Sequence, residues 1–319
     1  MKLRTVTLTL LLAALVFTCK SDDDDDGVVV VPARDRTEVY AENIAEIEAY
    51  LDTHFYNYDE FDFNDPYSVA NDNFIVQFDT IAGVNSDKIP LSESPELLSM
   101  QVPDSVDEDL IYTLYYLMVR EGEGDVIHFT DQAFMQYNGT LLDGTRFDST
   151  VTPVGLYMTT IGSDYGVVEG FRDGVLNFKT SIGNTPNEDG TVTYHGHGIG
   201  AIFIPSGLGY YSTPTTTIPA YSSVIFTIRT PSVKWLDHDN DTVYSFQEDL
   251  NGDGDVYDDD TDGDGIPNVL DIDDDGDGVY TIYEDVDGDG DPANDIGANG
   301  IPKYLDPTET ESSEIVDEN

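Results

Sequence analysis

The last quarter of the chain repeats itself, and the repeat is built from carboxylates. Asp237-His-Asp239-Asn-Asp241-Thr-Val-Tyr-Ser-Phe-Gln-Glu248 recurs 36 residues later as Asp273-Asp-Asp275-Gly-Asp277-Gly-Val-Tyr-Thr-Ile-Tyr-Glu284. Carboxylates fall at positions 1, 3, 5 and 12 of each twelve-residue unit, with Gly278 at position 6 of the second. A third copy runs from Asp260, Asp262 and Asp264 to Asp271, and 295–306 is a degraded copy in which Gly297 and Asn299 replace two ligands. The runs 251–255 and 287–291 add further oxygen. In such a segment alternate side chains point oxygens inward and glycines allow the tight turns. Hard divalent cations suit oxygen donors at this spacing, Ca2+ above all. Without a cation the crowded carboxylates repel one another, so binding and folding become one event.

The repeats also hold most of the charge. The formal net charge is −51 over 319 residues. From Asp237 to the end there are 29 Asp and Glu against Lys303 alone, a net of −28, which marks a module of its own. Such a field repels phosphate and excludes nucleic acid as a partner. Pro267 and Pro302 forbid long helices beside the loops. The array therefore resembles thrombospondin type 3 repeats rather than paired EF-hands. The resemblance implies Ca2+ bound by Asp237, Asp239, Asp241, Glu248, Asp260, Asp262, Asp264, Asp271, Asp273, Asp275, Asp277 and Glu284. The alternative is a solvated acidic tail without metal.

At the other end, Lys2 and Arg4 precede an almost wholly apolar run at 8–17, too short to span a bilayer comfortably. That is the layout of a secretory signal peptide. The single cysteine, Cys19, follows, so no intrachain disulfide is possible. A lone Cys there resembles the lipobox of bacterial lipoproteins, although Phe17 and Thr18 are not the usual small residues. The run Cys19-Lys-Ser-Asp-Asp-Asp resembles the signal that carries some Gram-negative lipoproteins to the outer cell face. The resemblance implies a lipid on Cys19 and an exported, surface-exposed outer-membrane lipoprotein. Two or more acyl chains hold a protein to a membrane where one barely does. The alternative is an ordinary signal peptide cut elsewhere, with Cys19 discarded.

Asp35-Arg-Thr-Glu38 fits a capping box. Tyr40, Ile44, Ile47 and Leu51 follow at helical spacing, which predicts a helix ending near His54 and packed on the next domain, with a dimerisation or partner helix as the alternative. Residues 56–108 are acidic, with scattered aromatics, and read as irregular structure with a strand at 74–78.

The middle of the chain reads as strands around one short helix. Residues 110–120, 133–137, 200–205 and 224–229 are β-rich, and 168–178 is the helical candidate between them. This pattern suggests an antiparallel α+β domain. Tyr137-Asn-Gly-Thr-Leu-Leu-Asp-Gly-Thr-Arg-Phe-Asp-Ser149 resembles the signature of the FKBP family. Gly-Val-Val-Glu-Gly-Phe171, Ile-Phe-Ile-Pro-Ser-Gly-Leu-Gly-Tyr210, Ile218-Pro219 and Ser-Val-Ile-Phe226 resemble four further family segments in the same order.

FKBP domains catalyse cis/trans rotation about X-Pro bonds. The amide is held planar by resonance, with a barrier of about 18–20 kcal/mol. Rotation breaks no bond, so no nucleophile, metal or cofactor is required. A water-poor apolar pocket favours the twisted amide, which has lost much of its polarity, and binding that state best is what catalysis needs. The resemblance implies that Tyr137, Phe147, Phe171 and Phe226 line the proline pocket and that Tyr157, Val167, Val168 and Ile218 complete its walls. It implies further that the Val168 N–H and the Tyr210 hydroxyl bond carbonyls of the bound peptide, and that Asp148 is a carboxylate at the pocket edge. Phe147 and Phe226, taken singly, fit a core as well as a pocket.

The departures are specific. The pocket floor is usually Trp, and here it is Phe171; the sole Trp, Trp235, lies beyond the last strand. No Arg stands shortly after Asp148. Tyr211 follows Tyr210 where Gly is common. Residues 179–199 form a polar insertion whose His195 and His197 read as part of an exposed loop, with a metal pair as the alternative. These changes bear on turnover and macrolide affinity more than on the fold.

The expected fold class is α+β, an FKBP-like antiparallel sheet wrapped around one short helix, with an N-terminal helix and an irregular calcium-binding tail. The expected segments are a signal peptide (1–18), a lipid-anchored acidic tether (19–34), a helix with an acidic connecting region (35–109), the FKBP-like domain (110–232), the repeats (233–306) and a disordered end (307–319). The expected activity is peptidyl-prolyl isomerisation of exported, proline-containing polypeptides. The alternatives are a peptide-binding module with little turnover and a calcium-dependent structural or adhesive surface protein.

Overall fold

The structure, a computed structural model, describes residues 32–313. The signal peptide, Cys19 and nearly all of the tether lie outside the described residues.

Helix α1 (Arg36–Thr53) starts where the capping box places it, with the Asp35 carboxylate accepting the Glu38 N–H at 3.0 Å. Its buried face is Val39, Asn43, Ile47 and Leu51, while Tyr40 and Ile44 sit half-buried beside it. The face turns toward Asn43 because that amide is spent on the sheet domain. Asn43 Nδ2 donates to the Tyr221 carbonyl at 3.0 Å, and its Oδ1 accepts from the Ser206 N–H and hydroxyl at 2.8 and 2.6 Å.

Next come β1 (His54–Tyr56), β2 (Phe78–Thr80), β3 (Leu97–Pro103), β4 (Ile111–Arg120), β5 (Gln132–Leu141) and β6 (Arg146–Tyr157). They are followed by α2 (Glu169–Val175), β7 (Gly183–Pro186), β8 (Val192–His195), β9 (Gly198–Ile204) and β10 (Val224–Lys234). The main sheet is six-stranded and antiparallel, in the order β3-β4-β9-β10-β5-β6; β1 pairs β2, and β7 pairs β8. Strand β9 lies near the middle and all seven of its residues are buried.

Period-two alternation sends the strands' side chains into two cores. Tyr112, Leu114 and Tyr116 of β4, Ile202 and Ile204 of β9 and Phe226 and Ile228 of β10 face α2. Leu117 and Val119, Ile199, Ala201 and Phe203, and Ile225 face the opposite way, onto Ile47, Leu51, Tyr56, Phe61, Phe74, Val76 and Leu91. The region read as irregular therefore seals the second face of the sheet, and it contributes β3 to that sheet. Phe74 and Val76 alternate with exposed Ile75 and Gln77 as a strand would, but ladder pairing begins only at Phe78.

Helix α2 is shorter than the candidate 168–178 because Val168 is extended and acts as the N-cap. The helix lies close on β9. A Cβ on Gly170 would stand 2.6 Å from Ile204, and one on Gly174 would stand 2.6 Å from Ile202.

The His195-Gly-His197 segment is not an exposed loop. His197 is buried, and Arg120 donates from Nε to its carbonyl at 2.7 Å. Asp72 pairs with Arg120 at 3.1 Å and with His195 Nδ1 at 2.8 Å, and it accepts the Gly196 N–H at 3.0 Å. A buried guanidinium is costly unless paired, and Asp72 supplies the partner from the connecting region.

Among the described residues the tail continues as turns and single-turn 3-10 segments without longer helices. It packs against the sheet domain. Ile161, in the loop after β6, is buried with Val256 and Val269, and Phe246 stacks on His128 with ring centroids 3.6 Å apart. Of the end read as disordered, 307–313 is described: the Ser313 N–H donates to the Tyr283 carbonyl at 2.7 Å, and Lys303 pairs with Glu309 and Glu311.

Candidate functional site

An aromatic cluster, here called the basin, forms where α2, β5, β6 and β10 meet. Its floor is Phe171 from α2, Phe226 from β10 and Ile218 from the loop before β10, all buried. Around them stand Tyr137, Phe147, Val167, Val168 and Tyr210, each half-buried and packed on the same core. The rings meet edge to face: Phe171 and Phe226 at 4.8 Å, Phe147 and Phe226 at 5.4 Å, Tyr137 and Phe226 at 6.0 Å, and Phe147 and Tyr210 at 6.3 Å. This geometry joins the rings edge to face in one apolar cluster. Gly139 makes the approach possible, because a Cβ there would stand 2.6 Å from the Phe147 ring and 2.9 Å from that of Phe226.

The polar groups sit at the rim. Asp148 is exposed, accepts the Tyr137 O–H at 2.7 Å through Oδ2, and accepts the Ser149 N–H at 2.8 Å through Oδ1. Tyrosine and backbone thus take the place of an arginine partner. Burial, then the hydrogen bond to Asp148, raises the Tyr137 hydroxyl pKa; burial and the Asp148 charge raise that of Tyr210. Both phenols therefore stay protonated and can donate. The Tyr210 hydroxyl and the Val168 N–H bond no group among the described residues, whereas the Val167 N–H is spent on the Tyr157 carbonyl at 3.0 Å. The Val168 carbonyl accepts from Phe171 and Arg172 at the start of α2.

Nine of the ten residues expected in the pocket converge here, and Tyr157 does not. Leu156 stands opposite buried Ala133 in the β5–β6 register and packs on the core, so its neighbour Tyr157 points to the other face. There it lines a crevice of about 260 Å³ with Ile161, Asp164, Asp237 and His238. Counting the strand alternation back from Ala133 and Met135 would have identified Leu156.

Residues 124–230 match the family described as FKBP-type peptidyl-prolyl cis-trans isomerase. The chain carries an FKBP-type domain. Residues 238–294 match the family described as BamM C-terminal. Three solved structures are similar to the chain. FkpA from Escherichia coli is 23% identical, with 45% of this chain and 54% of that chain covered and a TM-score of 0.32. A peptidyl-prolyl cis-trans isomerase from Pseudomonas syringae pv. tomato is 17% identical, with 45% and 84% covered and a TM-score of 0.32. The three FKBP domains of wheat FKBP73 are 19% identical, with 43% and 51% covered and a TM-score of 0.30. The chain thus spans about half the length of the first of these. No curated protein matches the sequence.

The tail beyond the FKBP-type domain gathers the aspartates at positions 1, 3 and 5 of its loops, whereas Glu284 joins none of these groups and Glu248 meets only Asp241 of its own loop. Oxygens of Asp237, Asp239 and Asp241 lie within 4.8 Å of one another, as do those of Asp260, Asp262 and Asp264, and of Asp273, Asp275 and Asp277. A further trio, Asp285, Asp287 and Asp289, overlaps the oxygen-rich run 287–291 and adds Asp285 to it. In each loop the first Asp accepts N–H groups from within its own turn, as Asp260 does from Gly263 and Gly265 at 2.9 and 3.0 Å. The first loop makes the same turn without glycine, with Asn240 at φ 67° and Thr242 at φ 81°. A β-branched residue there is strained. Asp271 stands outside the trios and accepts the Asp273 N–H at 3.0 Å. Asp306, in the degraded copy, is occupied by Asn299 and Thr308.

Proposed function

We propose that this protein is a membrane-tethered peptidyl-prolyl cis-trans isomerase that acts on X-Pro bonds of exported polypeptides. The observation that carries the reading is the aromatic basin with two uncommitted donors, the Tyr210 hydroxyl and the Val168 N–H, at its edge. A prolyl ring fits the apolar floor, while the donors hold flanking carbonyls and leave the twisting amide in a water-poor space. No proton or electron pair is transferred. The step assisted otherwise takes tens to hundreds of seconds.

The direct test is isomerisation of a short Xaa-Pro peptide by the purified chain. Tyr210→Phe removes one hydrogen bond worth about 1 kcal/mol and is expected to lower kcat/KM roughly three- to tenfold. Asp148→Ala frees the Tyr137 hydroxyl and is expected to lower it also. A wild-type rate equal to buffer, with peptide binding retained, favours the binding-module reading, to which Phe171 and the lack of an Arg beside Asp148 lend weight.

The tail is proposed to hold Ca2+. Its donors are hard oxygens, and several are buried without a hydrogen-bond partner: both carboxylate oxygens of Asp239, Glu248 and Glu284, and one each of Asp275 and Asp277. Burial, then neighbouring aspartates, raises the Glu284 pKa to about 8. A bound cation relieves that penalty. Export and lipidation are proposed from the N-terminal sequence. Cys19→Ser is expected to release the protein from membranes and to abolish labelling by a fatty-acid probe.

A further inference from the structure

We propose that Asp241, Glu248 and Asp274 form a divalent-cation site that locks the first repeat to the second, separate from the sites each loop builds by itself. The inference rests on the calcium reading of the tail and goes beyond it, because Asp274 belongs to no loop's 1-3-5-12 set.

Oxygens from the three side chains lie within 4.8 Å of one another. Ligands across a Ca2+ ion, each at about 2.3–2.6 Å, stand no more than about 4.6–5.2 Å apart. All three residues are buried, at 1%, 0% and 1% exposure for Asp241, Glu248 and Asp274. Each aspartate gives one oxygen to its own turn. Asp241 Oδ1 accepts the Val243 N–H at 2.8 Å, and Asp274 Oδ2 accepts the Thr281 hydroxyl at 2.8 Å. The other oxygen of each, and both of Glu248, have no hydrogen-bond partner.

Among the described residues no basic side chain is paired with Asp241, Glu248 or Asp274. Lys303, the one Lys or Arg after residue 237, is paired with Glu309 and Glu311, and His238 is turned to Ser245 and Asp164. Buried carboxylates without a countercharge cost several kcal/mol each, so protons or a metal must be present. The location favours metal. Glu248 holds position 12 of the first loop by sequence, yet its oxygens gather with Asp241 and with Asp274, which brings a ligand from the second repeat. The equivalent position holds His238 in the first loop and Thr261 in the third, both engaged in local side-chain hydrogen bonds. Only the 273 loop offers a carboxylate there.

The test uses the mature chain with Ca2+ as the probe. Bound Ca2+ is counted by native mass spectrometry and by equilibrium dialysis for wild type and Asp274→Asn, and melting is followed in Ca2+ and in EDTA. The expected result is loss of one bound ion in the variant, with a lower Tm in Ca2+ but a higher Tm in EDTA. The reversal arises because the substitution removes a ligand in one condition and an uncompensated buried charge in the other. A hydrogen-bonding role toward Thr281 would shift Tm in the same direction in both conditions. An unchanged ion count, or equal destabilisation in Ca2+ and EDTA, would overturn the joint site alone. A wild-type chain that binds no Ca2+ would overturn the tail reading and the joint site together. Glu248→Gln provides the same comparison should Asp274→Asn not fold.

Discussion

Gly139 shows how narrowly the pocket depends on single residues. It lies on β5 between Tyr137 and the turn into β6, and two of the basin's rings occupy the space a side chain would need. Gly139→Ala must push the Phe147 and Phe226 rings apart. Overpacking of this kind costs about 1–3 kcal/mol. The larger effect falls on the basin: kcat/KM toward an Xaa-Pro peptide is expected to drop about tenfold or more, because misplacing binding groups by an ångström is enough to do so. A variant that folds and turns over like wild type would show that Phe147 and Phe226 are packing rather than pocket. Sequence alone left those two residues open between the roles. In the structure they touch Tyr137, Tyr210 and Phe171, and the Gly139→Ala measurement decides between the roles.

At the level of elements, the sheet depends on a buried polar joint that no single segment announces. Arg120 ends β4, Asp72 comes from the connecting region, and His195 and His197 flank the step from β8 to β9. Burial and the nearby Arg120 guanidinium lower the His197 pKa to about 4, with Arg229 acting in the same sense and the Tyr194 carbonyl and Asp72 opposing. A histidine that stays neutral when folded but protonates when unfolded withdraws stability as pH falls. The contribution is whole above pH 6.5, the ordinary value, and is lost on the way down to about 4. It amounts to roughly 3 kcal/mol. Thermal unfolding across that window should therefore fall more steeply for wild type than for His197→Gln. Parallel curves would mean that His197 takes up its proton in the native state. The helices were easier to foresee: the capping box and apolar spacing of α1 are local signals, and only the rotation toward Asn43 needed a partner surface.

Across the whole molecule, the tail and the FKBP-type domain meet at the loop that leads into the pocket. Ile161 is buried with Val256 and Val269, the Gly162 N–H donates to the Tyr257 hydroxyl at 3.0 Å, and Asp164 stands 3.7 Å from His238. A few residues later the same loop becomes Val167 and Val168, the wall of the basin and its free N–H. If cations order the tail, chelation must loosen this brace. Hydrogen exchange in 158–168 is expected to rise in EDTA, and Val269→Ala, which empties part of the brace, is expected to do the same with Ca2+ present. Equal protection in both conditions would mean that tail and pocket are independent.

The sequence by itself determined the parts that rest on local chemistry. These are the capped helix, the glycine-punctuated acidic loops, the FKBP-like run from Tyr137 to Phe226 and the α+β class. Spacing carries such information because turns, caps and period-two strands are decided within a few residues. Only the tertiary structure decided what lies opposite what. It paired β3 with β4, covered the second face of the sheet with residues 55–91, turned Tyr157 away from the pocket and buried His197. It also carried Asp274 across to Asp241 and Glu248. Those outcomes depend on burial and charge balance between segments far apart in the chain. The acidic repeat that most restricted the sequence thus fixed its own loops, while the contacts that join them to each other and to the pocket came only with the fold.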